Sequence, residues 1–198
     1  MSKFLFKDRD GQTPLPEELQ KGLKIKSIQT VGELDEFEED NIARGLIWLE
    51  KQKVNPGKFD FWMKLHEKLF GNVWSWAGKV RKHELANPDF ASAKLIWSQI
   101  YQLEADLNFW IGESGMPNEE ISARFHERIE TIHPFANGNG RFGRILTESI
   151  CKYNKFTEPL WGGNLVSDSE MRRKAYIDAL IAARRNREFS SLISFMFT

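Results

Sequence analysis

The stretch HPFANGNGRFGR, residues 133–144, sets one histidine, three glycines, two asparagines and two arginines between two segments of helical period. Upstream, Pro117 and Asn118 mark a start, and Ile121, Phe125, Ile129 and Ile132 recur on one stripe. Downstream, the pattern predicts a helix from about Gly140 to Tyr153 with Ile145, Leu146 and Ile150 inward. A helix N-terminus presents unpaired N–H groups and partial positive charge, so it binds phosphate where the preceding chain lets the anion come close. Gly138, Asn139 and Gly140 supply that clearance, because glycines permit backbone nests.

Arg141 and Arg144 are three residues apart on the new helix, so both project toward the same side of its first turn. Their planar forks suit the oxygens of more than one phosphate. His133 ends the preceding helix and faces the same space, and an imidazole of unperturbed pKa about 6.5 suits a general base at neutral pH. A phosphate cradle with a base beside it describes transfer of a nucleotide fragment onto a hydroxyl. The stretch is not a Walker P-loop, since no Lys-Ser or Lys-Thr follows the glycines. The competing reading is an ordinary turn with salt-bridged arginines. Against it, arginines in a first helical turn are disfavoured unless something anionic compensates them.

Around this junction the chain reads as mostly α. Residues 1–32 form an N-terminal extension, with loop-like DRDGQTPLPEE and a briefly alternating LKIKSIQTVG. A helix with an acidic first turn runs from Glu33 to about Gln52 and closes at the NPG of residues 55–57. A second spans roughly Asp60 to Phe70, with Trp62, Leu65 and Leu69 on one stripe and a stop at Gly71. Ile96, Ile100, Leu103, Leu107 and Trp110 make residues 91–112 the firmest helix. The intervening NVWSWAGKVRKHELANPDF reads as loop with a small β-hairpin. SDSE at 167–170 has capping-box spacing and opens a helix to about Arg184, and SLISFMF forms a terminal helix docked on the core. Residues 33–198 are one domain.

Composition narrows the function classes. The 198 residues carry 28 basic and 28 acidic side chains, so total charge advertises no polyanionic partner. The cluster Arg172, Arg173 and Lys174 with Arg184, Arg185 and Arg187 reads as surface charge, since no aromatics interleave as in a nucleic-acid stacking groove. The lone Cys151 excludes an intramolecular disulfide and sits in an apolar pattern as a buried thiol. No stretch approaches the roughly 20 apolar residues of a membrane span, and no signal peptide opens the chain, so a cytoplasmic protein is expected. His126 and His133 are seven residues apart, about 10 Å along a helix and too far for one zinc ion. His126 then reads as a satisfied, partly buried histidine, while His66 and His83 lack companions that would elevate them.

The junction resembles the active-site signature of the Fic/DOC (Fido) family, His-Pro-Phe-x-Asp/Glu-Gly-Asn-Gly-Arg-x-x-Arg. The matching residues are His133, Pro134, Phe135, Gly138, Asn139, Gly140, Arg141 and Arg144. GNVWSWAGKVR at 71–81 is similar to the tryptophan-rich segment that such proteins carry before their flap. ELDEFEEDNI, with LWGG and YIDAL downstream, looks like the short subfamily called mobile mystery protein B. The resemblance covers about residues 33–198.

It implies a Fic-type helical bundle with a small β-hairpin flap, which moves AMP from ATP to a Ser, Thr or Tyr hydroxyl of a target protein. By that analogy His133 is the base, Phe135 a buried anchor for the loop, Asn139 and the glycine amides hold the α-phosphate region, and Arg141 and Arg144 grip the outer phosphates. The target would pair with a flap near residues 81–94. Tyr176 and Leu180, on a patch with Ala179, read first as core and by analogy as an adenine wall. Asn137 stands where the family carries the Asp or Glu that holds Mg²⁺, and an amide lacks the charge this hard cation prefers. The resemblance also implies an inhibitory helix, with Glu38 as the partner of Arg144 and Phe37 as its apolar anchor, although Leu34 stands where that pattern has Ser or Thr. A separate inhibitor or a helix-turn-helix partner belongs to the same analogy. The alternatives are another phosphate-group transfer, of UMP or a phosphoryl group, and a catalytically weak nucleotide-binding or interaction module.

Overall fold

The computed structural model describes residues 20–163 and 169–198. Seven α-helices follow one another among them: α1 (Val31–Glu50), α2 (Phe59–Phe70), α3 (Ile96–Gly112), α4 (Asn118–Ile132), α5 (Asn139–Asn154), α6 (Ser169–Asn186) and α7 (Ser190–Phe197). A 3₁₀ turn, Ala93–Leu95, leads into α3. Helix α1 starts two residues before the acidic Glu33 because Thr30 caps it. The Thr30 hydroxyl accepts from the Glu33 N–H, and the Glu33 carboxylate accepts from the Thr30 N–H in return. The SDSE capping box cannot be placed in the same way, since residues 164–168 lie outside those described.

Helix α4 is the centre of the bundle, packing on α3, α5, α6 and α7. Phe125, Ile129 and Ile132 face the larger hydrophobic cluster, which also takes Trp62, Leu65 and Leu69 from α2, Ile96 to Leu107 from α3, and Leu146 and Ile150 from α5. Ala123, on another side of α4, meets a second cluster built from α6 and α7: Tyr176, Ala179, Leu180, Ala183, Leu192, Phe195 and Met196. The amphipathic stripes read from sequence are therefore the buried faces, and Cys151 is the buried thiol expected, 3.2 Å from the Ser122 hydroxyl. Of the expected N-terminal extension, residues 1–19 lie outside the described part. From Gln20 onward the segment packs on the domain, with Leu23 bridging to Trp74 and Ile28 buried in the main cluster.

The expected β-hairpin flap is not present. Between Gly78 and Ala93 the only ladder contact among the described residues is one isolated bridge, Val80 to Phe135. The reason is where the backbone groups go. Arg81 N–H donates to Pro134 O and Ala91 N–H to Thr131 O, each at 2.9 Å, while the Glu84 carboxylate takes the Ala93 N–H and the Ser92 hydroxyl. Groups that a hairpin would pair with one another are pinned to the end of α4 and to the start of the 3₁₀ turn.

Candidate active site

The junction between α4 and α5 is held from both sides. His133 closes α4 in the left-handed region (φ 48°, ψ 60°), its N–H bonded to Ile129 O, which is unusual for a residue with a side chain and marks a position fixed by its surroundings. Phe135 is fully buried and stacks on His66 of α2, with ring centroids 3.7 Å apart. Phe142 meets Phe135 edge-on. Gly138 enters α5 at φ 77°, where a Cβ would lie 2.8 Å from the Phe70 ring, so no other residue fits there without moving Phe70. The first turn of α5 thus opens against α2, and its leading N–H groups have no intrahelical acceptor.

His133 is itself almost fully buried. Its Nδ1 lies 3.1 Å from the carbonyl oxygen of Glu130, so that nitrogen carries the proton and donates, and Nε2 carries the lone pair in the neutral ring. Burial, opposed by that hydrogen bond and reinforced by the charges of Arg81 and Arg184, lowers its pKa to about 4. The imidazole is neutral at pH 7.

Arg141 and Arg144 take different partners. Arg141 Nη1 lies 2.7 Å from Glu38 Oε2, and its guanidinium sits over the Phe70 ring at 4.8 Å. Arg144 turns toward α6, its guanidinium carbon 5.7 Å from the Tyr176 ring centroid. This corrects the expected pairing: Glu38 engages the first arginine of the loop, and its second oxygen accepts from Trp74 Nε1 at 2.6 Å. Phe37, expected as the apolar anchor, is 41% exposed, and the anchoring falls to Glu38 itself at 8%.

Three more placements differ from expectation. Asn139 spends its side chain on the loop, Oδ1 accepting from Phe135 N–H and Nδ2 donating to Phe135 O, both at 2.9 Å. Its buried amide is a brace within the junction, which leaves phosphate to the backbone. Tyr176 and Leu180 are buried in the second cluster, and the Tyr176 hydroxyl meets His126 Nε2 at 2.8 Å, so in this conformation neither turns an open face to a base. Asn137 Oδ1 already accepts from Gly138 N–H at 2.5 Å. One neutral amide oxygen so engaged does not fit a magnesium ion held by the protein alone. The described residues contain no cluster of three or more His, Cys, Asp or Glu side chains able to hold a metal.

Sequence reasoning missed three supporting residues. His66 Nδ1 accepts from Gly78 N–H and its Nε2–H donates to Asn137 O, each at 3.0 Å, and complete burial lowers its pKa to about 3. Arg81 is buried and donates to the carbonyls of His133, His83 and Ala91 at 2.7, 2.8 and 2.5 Å. Glu130 is buried at the α4–α5 contact, its pKa raised to about 7 by burial against the opposing charges of Arg144 and Arg184. The signal for His66 and Arg81 was faint, because both act on backbone atoms that only the fold brings to them. His126 is satisfied as expected, by Thr147 and Tyr176, but is fully rather than partly buried.

Residues 58–151 match the model of the Fic/DOC family. Protein adenylyltransferase VbhT of Bartonella schoenbuchensis is 37% identical over 92 residues, covering 43% of this chain but 19% of that protein. The Sinorhizobium fredii protein named "Probable protein adenylyltransferase y4lH" is 27% identical over 166 residues, 78% of this chain and 79% of that one. Among solved structures, BepC of Bartonella tribocorum, crystallised with AMPPNP bound, superposes with a TM-score of 0.68 at 18% identity over 91% of this chain and 96% of that one. The Fic/DOC family match spans residues 58–151, and the helical bundle has the Fic fold. It spans about a fifth of the first relative's length.

Proposed function

We propose that this protein is a protein adenylyltransferase, moving AMP from ATP to a Ser, Thr or Tyr hydroxyl of a target protein. What supports the reading best is the fixed tautomer of His133 beside the open N-terminus of α5. Nε2 takes the proton of the target hydroxyl as its oxygen attacks the α-phosphorus, a phosphorus–oxygen bond forms, and the bond to the β-phosphate breaks to release pyrophosphate. The leading N–H groups around Gly140 receive the phosphate oxygens, and Arg144 and Arg141 hold the outer phosphates, so catalysis rests on positioning and on charge fixed in advance. Any Mg²⁺ would depend on ATP phosphates for most of its ligands, and no step is assigned to it. The target docks on the segment 81–94. Names of the relatives support the nucleotide and the reaction.

The residues ELDEFEEDNI, LWGG and YIDAL support membership of the mobile mystery protein B subfamily and, with it, a separate inhibitor or helix-turn-helix partner. No helix among the described residues is long and apolar enough to cross a membrane, in keeping with work in the cytoplasm. Two observations favour a second reading, a weakly active nucleotide-binding module: Arg141 is occupied by Glu38, and Asn137 brings no charge to a metal.

The test is incubation with α-labelled ATP and Mg²⁺, followed by intact mass of the protein and of lysate proteins, for wild type, His133→Ala and Asn137→Asp. A gain of one AMP that His133→Ala abolishes supports the transferase. Transfer unchanged in His133→Ala overturns His133 as the base, and ATP binding with no adduct in any of the three sinks the transferase in favour of the module.

A further inference from the structure

Phe90 lies in the segment before the 3₁₀ turn and stacks face to face on His133, ring centroids 4.0 Å apart and planes 22° from parallel. It is held there from three directions. The next residue, Ala91, donates its N–H to Thr131 O at the end of α4 and receives Arg81 on its carbonyl. The preceding residue, Asp89, reaches α6, with Oδ2 3.1 Å from Arg185 Nη2 and 3.9 Å from Arg184 Nη1. Arg184 in turn donates to the Thr131 hydroxyl at 2.7 Å, lies 3.5 Å from Glu127 and sits 5.7 Å from the Phe90 ring centroid. A half-buried aromatic on an irregular segment would ordinarily be free to rotate away. This one is clamped between α4 and α6 with its face on an imidazole.

We propose that Phe90 is a positioning residue for His133, fixing the plane of the imidazole and keeping water off it, with the Asp89 contacts to Arg184 and Arg185 as the latch that holds the aromatic in place. The proposal rests on the reading of His133 as the base. Two constraints then act on His133 at right angles: the Glu130 carbonyl fixes rotation within the ring plane through Nδ1, and Phe90 fixes the plane itself. Base catalysis needs both, since a hydroxyl proton is taken only along the Nε2 lone pair. The charged groups acting on His133 are Arg81, from the segment before α3, and Arg184 of α6, whose own partners are Glu127 and Asp89. The two arginines disfavour the imidazolium, and burial under Phe90 disfavours it further.

The experiment follows the Cε1–H resonances of the histidines by NMR through a pH titration of the full chain, assigning His133 by its absence in His133→Ala. In wild type His133 stays neutral through pH 5. Phe90→Ala raises its midpoint by about one pH unit or more as water reaches the ring, while Phe90→Tyr, which preserves the stack, keeps the wild-type value. Where transfer is measurable, Phe90→Ala lowers kcat about tenfold with KM for ATP within about twofold, and the acid limb of kcat moves up with the midpoint. A His133 midpoint unchanged in Phe90→Ala overturns the proposal, as does an equal shift in Phe90→Tyr. Because the titration needs no turnover, it decides the positioning role even if His133 proves not to be a transfer base.

Discussion

Oε2 of Glu38 lies 2.7 Å from Nη1 of Arg141. The pair ties α1 to the first turn of α5, and the Trp74 indole bonded to the other oxygen keeps the carboxylate from turning away. An arginine whose charge is already answered offers less to a phosphate, so on the proposed reading of Arg141 the contact works against nucleotide binding. Glu38→Gln preserves the acceptor for Trp74 and removes the charge. It is expected to tighten ATP binding about three- to tenfold, read by calorimetry. Equal or weaker binding would show that Glu38 organises Arg141 rather than competing for it.

Gly143 is explained by Glu130. A Cβ on Gly143 would collide with the Glu130 carboxylate, which is packed between α4 and α5. Gly143→Ala therefore costs about 2 kcal/mol or more of stability, although alanine is the better helix former. Adding Glu130→Ala relieves the clash, and chemical denaturation of the double mutant should show coupling of about 1 kcal/mol or more. Simple additivity would mean that the helices separate at little cost.

The raised Glu130 pKa has a sign in stability. Its folded value of about 7 exceeds the ordinary 4.5, so the folded state holds this proton where the unfolded chain has lost it. The stability it lends is present below pH 4.5 and is lost as pH rises to 7, by up to about 3 kcal/mol. Glu130→Gln removes that loss. The difference between variant and wild type in urea denaturation is expected to grow in favour of the variant from pH 4.5 to 7 and to level off above. A flat difference would place the Glu130 carboxyl in water.

His66 works in the opposite direction. Its folded pKa of about 3 lies below the usual 6.5, so the stability of its neutral ring is present above pH 6.5 and is lost as pH falls toward 3. His66→Phe retains the stack on Phe135 and removes both hydrogen bonds, the one from Gly78 N–H and the one to Asn137 O. The expected loss is about 2 kcal/mol at pH 7.5, shrinking as pH falls, because the variant lacks this acid sensitivity. Thermal unfolding at pH 7.5 and at about pH 5 checks it, and an unchanged Tm would deny His66 its role as a brace.

Sequence alone determined the helices and the place of the junction between them. Hydrophobic stripes such as Ile96 to Trp110 and Ile121 to Ile132 declare helices because burying one face is what stabilises them, and the period of that face is written in neighbouring residues. The glycines, His133, Arg141 and Arg144 were legible as candidates for a similar reason, since they stand within a dozen positions and arginines in a first helical turn ask for a compensating anion. Only the tertiary structure decided which arginine Glu38 meets, that Asn139 braces Phe135, that the expected hairpin is pinned to α4, and that Tyr176 and Leu180 are buried. It also brought His66, Arg81 and Phe90 to the junction, from segments 43 to 67 residues upstream of His133. Each depends on an ion pair, a ring stack or a hydrogen bond to backbone between distant segments. Local periodicity carries no trace of such contacts, because their free energy is set by distance in space and by burial.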